Sequence, residues 1–196
     1  PFLLSHNGTV YLVYRSGTVN GNITVKKLNA GGNWETVGNA EFSFGDIYDP
    51  SLVVFEGELY AGYTDYTFSS GYGAAVMKFN AAEETWEPVG SPGFTSGNAF
   101  DTNLVTDGSR LYVVYENRDY KAAAMFYDFD EGEWKQLGKD GFSGGQAFGI
   151  SAAALNGGVY AAYQDASKGN RLTVMKFAGS GWVPVASTGI SAGQAR

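Results

Sequence analysis

Short runs of apolar and aromatic residues, separated by turn residues, recur along the whole chain in the pattern of β-strands. The stretch from 49 to 100 shows this most plainly, with one alternating run and three apolar runs. These runs cover residues 51–55, 59–63, 74–79 and 86–89. No apolar stripe at 3.6-residue spacing is long enough for a helix. The pattern therefore predicts an all-β protein.

One phrase repeats four times, and each copy ends in a short run that opens on a tryptophan. The tryptophans recur every 48 to 52 residues, at Trp34, Trp86, Trp134 and Trp182. The repeat tiles the chain without remainder as units 1–48, 49–100, 101–148 and 149–196. Because a fixed period of this length made of short strands is typical of propellers, each unit is predicted to form one four-stranded antiparallel blade. We name the strands of a blade A to D in chain order. The tryptophans open strand D and are predicted to pack between blades.

Two ways of closing the ring follow from the repeat. In the first, residues 1–196 form a single domain with four blades, and blade 1 packs against blade 4 because the two ends exchange no strand. In the second, the chain is half of an eight-bladed ring, formed by two chains as a homodimer or completed by missing repeats. The sequence favours the first and leaves the second open.

Composition narrows the classes of partner. The net charge is −7 and the 13 Lys and Arg residues are scattered, which argues against a nucleic-acid partner. No run of 18 apolar residues exists, so no membrane insertion is expected. There is no cysteine, so thiolate and disulfide chemistry are excluded. The sequence begins at Pro1 without a methionine or a signal sequence, which suggests a processed protein or a fragment.

The repeated phrases resemble known propeller families. A tyrosine strand at 59–63, a second strand at 76–80 and a tryptophan strand at 85–90 resemble kelch-type repeats, and the C–D turn at 29–34 is similar to a degenerate sialidase Asp-box. Taken whole, the units look most like the tandem propeller repeats of large bacterial surface and secreted proteins. The resemblance implies a propeller that is secreted or displayed at the cell surface.

Connection lengths indicate which end of the propeller carries function. The A–B turns are tight, whereas the B–C connections are longer and irregular, at 16–22, 64–73, 116–120 and 164–170. In an antiparallel blade the B–C and D–A connections lie on the same face, which we call the B–C/D–A face. Since binding residues tend to lie on variable loops of a rigid scaffold, this face is predicted to hold the site.

Aromatic rings, carboxylates and amides cluster where the chain enters strand A and leaves strand B. The predicted ligand-binding residues are Tyr48, Asp49, Ser51, Asp65, Phe100, Asp101, Asn103, Asn117, Phe148, Ser151 and Asp165, with Arg196 and Pro1 at the fourth place of the ring. Rings that stack and short polar groups that orient would suit a glycan or a protein ligand. The alternative is that the carboxylates cap turns and the rings pack between blades.

The chain has few residues of the types and arrangements that enzymes use for catalysis. His6 is the only histidine, and the five arginines do not occupy matching repeat positions. Paired carboxylates such as Asp49 and Asp101, from neighbouring blades, could flank a glycosidic bond. The same pair is the candidate for an axial calcium ion, although no cofactor is otherwise predicted.

The sequence thus favours an extracellular binding module without catalysis, which recognises a glycan or a protein surface. One alternative is a carbohydrate-active enzyme of the glycosidase type that uses the axial carboxylates. The other is a structural spacer domain in a larger surface protein.

Overall fold

The computed structural model describes residues 1–17, 21–67 and 71–195. Parts of two B–C connections and Arg196 lie outside the described residues. The first sheet consists of β1 (Phe2–His6), β2 (Thr9–Ser16), β3 (Asn22–Leu28) and β4 (Trp34–Thr36). The second consists of β5 (Ile47–Phe55), β6 (Glu58–Asp65), β7 (Gly73–Asn80) and β8 (Thr85–Pro88).

The third sheet consists of β9 (Ala99–Thr106), β10 (Leu111–Asn117), β11 (Ala122–Asp128) and β12 (Glu133–Gln136). The fourth consists of β13 (Ala147–Leu155), β14 (Gly158–Asp165), β15 (Arg171–Phe177) and β16 (Trp182–Pro184). One 3₁₀ turn, Ala166–Lys168, follows β14. Among the described residues no helix is long and apolar enough to cross a membrane.

Every sheet has the strand order A–B–C–D with antiparallel neighbours. The prediction of four four-stranded antiparallel blades is confirmed. The A strands of blades 2 to 4 begin two residues before the predicted unit starts, at Ile47, Ala99 and Ala147. They begin early because the strand continues across a β-bulge near its start.

Consecutive blades are joined by the same set of contacts at each seam. The Trp86 indole N–H donates to the Val37 carbonyl of blade 1 at 2.9 Å. Its ring also stacks on Phe42, with ring centroids 4.4 Å apart. Trp134 and Trp182 repeat both contacts with the blades before them. Each tryptophan therefore buries its ring and satisfies its N–H in one contact, as buried indoles require. At these three seams the predicted packing role is confirmed.

The core consists of three hydrophobic clusters, and each cluster spans two consecutive blades. Blade 3 has a neighbour on both sides, and every residue of its β10 is buried. Blade 4 has a neighbour on one side, and the residues of β14 alternate between buried and half-buried from Val159 onwards. Because successive strand residues point to opposite faces, this alternation shows that blade 4 is covered on one face only.

Candidate functional site

In blades 2 to 4, a bulge near the start of strand A brings one residue of each blade to the axis. The register shifts between Tyr48 and Ser51 in blade 2, and corresponding shifts occur in blades 3 and 4. At the centre of each bulge the backbone is left-handed, with φ of 50° at Asp49, 48° at Asp101 and 60° at Gly149. Aspartate and glycine are among the residue types that adopt this conformation most readily. Aspartate and glycine at this repeat position therefore allow the backbone of the bulge, and the aspartates also place a carboxylate near the axis.

The two aspartates each tie their own blade to the next one. Asp49 Oδ2 accepts a hydrogen bond from the backbone N–H of Asp101 at 3.0 Å. Asp101 Oδ2 accepts one from the N–H of Ile150 at 3.2 Å. The Thr102 backbone also hydrogen-bonds to the Asp49 carboxylate. Asp101 Oδ1 accepts no hydrogen bond within the described part of the chain, so this oxygen is open to a ligand.

Both carboxylates line a small cavity at the mouth of the axial channel. The cavity has a volume of about 200 Å³ and takes residues from all four A strands. Its lining residues are Phe2, Asp49, Pro50, Ser51, Asp101, Thr102, Asn103 and Ile150. Asn103 supports the wall, because its Nδ2 donates to the carbonyls of Asp101 at 2.7 Å and Ile150 at 3.0 Å. Ser51 does the same below Asp49, where its Oγ accepts from the Leu104 N–H at 3.0 Å.

Sequence reasoning missed a third carboxyl group, Glu116. It lies on β10 directly before Asn117, is only 5% exposed, and pairs across the sheet with Phe100. Burial raises the pKa of Glu116 to about 7, and the carboxylates of Asp101 and Asp49 add to the rise. Burial and the Asp101 carboxylate also raise the pKa of Asp49. At neutral pH a large fraction of Glu116 therefore carries a proton beside two acidic neighbours.

A signal for Glu116 was present in the repeat. Its counterparts in the other blades are Arg15, Thr64 and Gln164, which follow the second tyrosine of each phrase. Thr64 shows where this position points, because its hydroxyl hydrogen-bonds to Thr102 of the next blade at 2.8 Å. Blades 2 and 4 carry neutral side chains here, and burial of a carboxyl group at such a position costs free energy. The residue predicted for the site at the end of this strand is the next one, Asn117.

Three predicted site residues serve their own B–C connections instead. Asp65, Asn117 and Asp165 are buried at the ends of the B strands. Their Oδ1 atoms accept from backbone N–H groups two residues later, at Thr67, Asp119 and Ser167. These bonds form turns of the kind that Asp and Asn favour. None of the three lines the mouth cavity.

A row of aromatic rings crosses the B–C/D–A face beside the mouth, and we call it the aromatic row. It consists of Tyr48, Tyr66, Tyr72, Phe100 and Tyr120. Neighbouring ring centroids are 4.5, 3.8, 5.7 and 6.1 Å apart. The guanidinium of Arg15 extends the row, at 4.9 Å from the Tyr48 centroid. Tyr48 and Phe100 were predicted from the sequence, whereas the three loop tyrosines were not.

The fourth blade contributes least to the mouth. Gly149 stands where blades 2 and 3 carry aspartate, and Ser151 is exposed beside it. Phe148 is half-buried and pairs with Gln164. Within residues 1–17, 21–67 and 71–195 no group of three or more His, Cys, Asp or Glu side chains is placed to hold a metal ion. An axial calcium ion therefore stays a prediction.

Comparison with solved structures identifies proteins that share this fold. A thermostable family-43 glycoside hydrolase matches with a TM-score of 0.60 and 15% identity, over 99% of this chain and 73% of that one. The endo-arabinase from Bacteroides thetaiotaomicron matches with a TM-score of 0.58 and 15% identity, over 97% and 80%. The xylan β-1,4-xylosidase from Bacillus halodurans matches with 0.60 and 15%, over 94% and 41%. No family model and no curated protein matches the sequence.

These comparisons confirm the propeller and correct the functional prediction. The similar structures are five-bladed propellers of glycoside hydrolases, and they do not single out kelch-type or sialidase-type repeats. The prediction of a binding module without catalysis is wrong, because the three similar structures named above are glycosidases. The alternative of a carbohydrate-active enzyme fits them better. At this level of identity the likeness demonstrates the fold, and the chain spans 41 to 80% of these three structures.

Proposed function

We propose that this chain is a glycoside hydrolase that cleaves its substrate at the mouth of the axial channel. The observation that carries the proposal is a pair of carboxylates from neighbouring blades, Asp49 and Asp101, which line one cavity and whose charges raise the pKa of a third carboxyl group, Glu116. Glycoside hydrolysis needs a proton donor and a carboxylate on either side of the scissile bond. The similar folds of family-43 and related glycosidases give the proposal further support.

Glu116 has the properties of the proton donor. Its pKa of about 7 keeps it protonated in mildly acidic to neutral solution, while its ionised neighbours favour retention of that proton. A proton held by burial in this way can be delivered to the leaving oxygen of the glycosidic bond. The remaining negative charge on the aspartates would stabilise the positive charge that develops on the sugar ring.

Asp101 is the better candidate for the second catalytic carboxylate. It is half-buried in the mouth, and its Oδ1 accepts no hydrogen bond from the described residues. Of the two neighbouring carboxylates, Asp101 contributes more than Asp49 to the raised pKa of Glu116. Asp49 opens more to solvent at the rim. We assign Asp49 to support of Asp101, because it accepts the hydrogen bond that fixes the Asp101 backbone.

The aromatic row would hold the sugar chain. Ring faces of tyrosine and phenylalanine stack on the apolar faces of sugars, and several rings in a line suit an oligosaccharide better than a single sugar. The net charge of −7 favours a neutral glycan. The activities of the similar structures direct the choice of substrates to arabinan, xylan and β-fructofuranosides. A glycan partner, and secretion or display at the cell surface, belong to the same proposal.

Release of reducing ends from arabinan, xylan, levan and sucrose tests the proposal. Wild type is expected to act on at least one of them, and Glu116→Gln and Asp101→Asn are expected to lower that rate by about 100-fold or more. Glu83→Gln provides the matched control, since Glu83 is an exposed carboxylate on a C–D turn. Equal rates in all four proteins would overturn the assignment of the two carboxylates.

A further inference from the structure

Blades 1 and 4 each present one face that has no partner. Trp34 occupies the same repeat position as Trp86 and Trp134, yet it is 42% exposed where they are 7% and 8%. Leu3, the counterpart of buried Leu52, is 62% exposed. We call this the leading face of blade 1. In blades 2 to 4 the equivalent face packs against the blade before it.

Blade 4 carries the complementary half of a seam. The counterparts of Val37 and Phe42 in blade 4 are Val185 and Ile190, which are 53% and 50% exposed. Six half-buried positions of β14 and β15 point the same way, and four of them are apolar, namely Tyr160, Ala162, Leu172 and Val174, while Gln164 and Lys176 are polar. We call this the trailing face of blade 4. It retains the carbonyl at 185 that would accept an indole N–H.

The two faces do not meet each other. Among the described residues no hydrogen bond, ion pair or aromatic contact joins blade 1 to blade 4, and none of the three hydrophobic clusters includes residues from both. Blade 4 has Gly149 at the bulge, so it also lacks the carboxylate that ties blades 2 and 3 to their successors. The seam that would close a four-bladed ring is not formed.

We infer that a fifth blade of the same repeat fits between the trailing face of blade 4 and the leading face of blade 1. Its own strand D tryptophan would donate to the Val185 carbonyl, and its trailing face would cover Trp34. Three existing seams define this contact set, so the vacant faces specify the chemistry of their partner. The fifth blade and this chain would bury apolar surface at two seams, one with blade 4 and one with blade 1.

The curvature of the arc favours one blade over a second copy of the chain. The A strands of all four blades line one axial cavity of about 370 Å³, to which β1 contributes Leu4 and β13 contributes Ala154. An eight-bladed ring needs a wide channel, in which strands from opposite blades do not share a cavity of this size. The five-bladed solved structures, of which this chain spans 73 to 80% in two cases, agree with a gap of one blade.

Thiol labelling of the full chain tests this inference, since the chain has no cysteine. Leu3→Cys reports on the leading face, Val185→Cys on the trailing face, and Ala82→Cys on an exposed C–D turn as a control. The alkylation rate is measured in the chain alone and in the chain with a copy of residues 49–100 appended after Arg196. Light scattering gives the mass of each protein.

We expect the chain alone to be a monomer in which all three thiols react at similar rates. The appended repeat should slow labelling of L3C and V185C by about tenfold or more and leave A82C unchanged. An appended repeat whose tryptophan is changed to alanine should protect V185C less. Protection of L3C and V185C in the monomer would show a ring closed by four blades, and protection in a dimer would show an eight-bladed ring. Either result, or full labelling despite the appended repeat, overturns the inference.

Discussion

The carboxylate of Asp49 accepts a hydrogen bond from the backbone N–H of Asp101 at 3.0 Å, across the seam between blades 2 and 3. The residue that lines the mouth is therefore also part of the scaffold. The same holds one seam further on, where Asp101 accepts from Ile150. Because fold and proposed chemistry use the same side chains, substitutions must be chosen to separate the two roles.

Asp49→Asn should leave the fold intact, whereas Asp49→Ala should not. The asparagine carbonyl oxygen still accepts from the Asp101 N–H, and asparagine tolerates the left-handed backbone at this position. Alanine leaves that N–H unpaired and strains the backbone, at a cost of about 1–3 kcal/mol. Chemical denaturation of both variants measures the difference. Equal destabilisation would mean that the carboxylate charge, not the hydrogen bond, holds the seam.

Glu116 should make stability depend on pH. Its pKa of about 7 in the folded protein lies above the ordinary value of 4.5, so the folded state holds the proton more tightly than the unfolded state. This contribution is fully present below about pH 4.5 and is lost as pH rises through about 7. When the pH rises from 4.5 to 8, wild type should therefore lose about 1–3 kcal/mol of folding stability relative to Glu116→Gln.

Urea denaturation at pH 4.5 and pH 8 measures this difference. Glu83→Gln is the control, because Glu83 is exposed and its replacement should change neither value. A difference between wild type and Glu116→Gln that does not change with pH would show that Glu116 is not buried as a protonated acid.

The tryptophans should differ in their contribution to stability according to their seam. Trp134→Phe removes the indole N–H that donates to the Val89 carbonyl at 2.8 Å and leaves a gap in a buried seam. A loss of about 2 kcal/mol is expected. Trp34→Phe changes an exposed ring at an open face and should cost less than about 0.5 kcal/mol in the chain alone. Similar losses from both, measured by denaturation, would contradict the open seam.

The aromatic row should affect substrate binding more than the chemical step. Tyr72→Ala removes a ring that stacks on Tyr66 at 3.8 Å and lies 5.7 Å from Phe100. KM for an oligosaccharide is expected to rise roughly three- to tenfold with little change in kcat. Phe129→Ala, at an exposed ring of a C–D turn, is the control. A fall in kcat at constant KM would place Tyr72 in the reaction itself.

The sequence predicted the architecture because the residues that recur in each repeat are those that form the contacts between blades. Trp86, Trp134 and Trp182 carry one contact in three copies, and a period that tiles the chain leaves few alternatives to a propeller. The sequence left the open seam as one of two alternatives, because Trp34 has the same sequence context as the others. Its exposure depends on the angle between blades, which sequence spacing does not encode.

The sequence located the polar residues at the strand A bulge and missed Glu116, which differs from its repeat counterparts only in its side chain. The role of the bulge residues in ligand binding stays a prediction. Asp49 and Asp101 stand at the bulge and face the axis as expected. Asp65 is polar and lies at the end of a B strand, but its side chain points toward its own B–C connection. Glu116 precedes a polar strand end, and only the packing of blade 3 shows that it lies beside the two aspartates.

The pH dependence of glycosidic bond cleavage tests the central claim most directly. Kcat/KM on the best substrate should be measured from pH 4 to 9 for wild type and Glu116→Gln, with and without the appended repeat. We predict that the wild-type rate falls above an apparent pKa near 7, and that Glu116→Gln is at least about 100-fold slower and lacks this descending limb. A wild type without hydrolysis in either form, or a Glu116→Gln variant with the same rate and profile, would contradict the account.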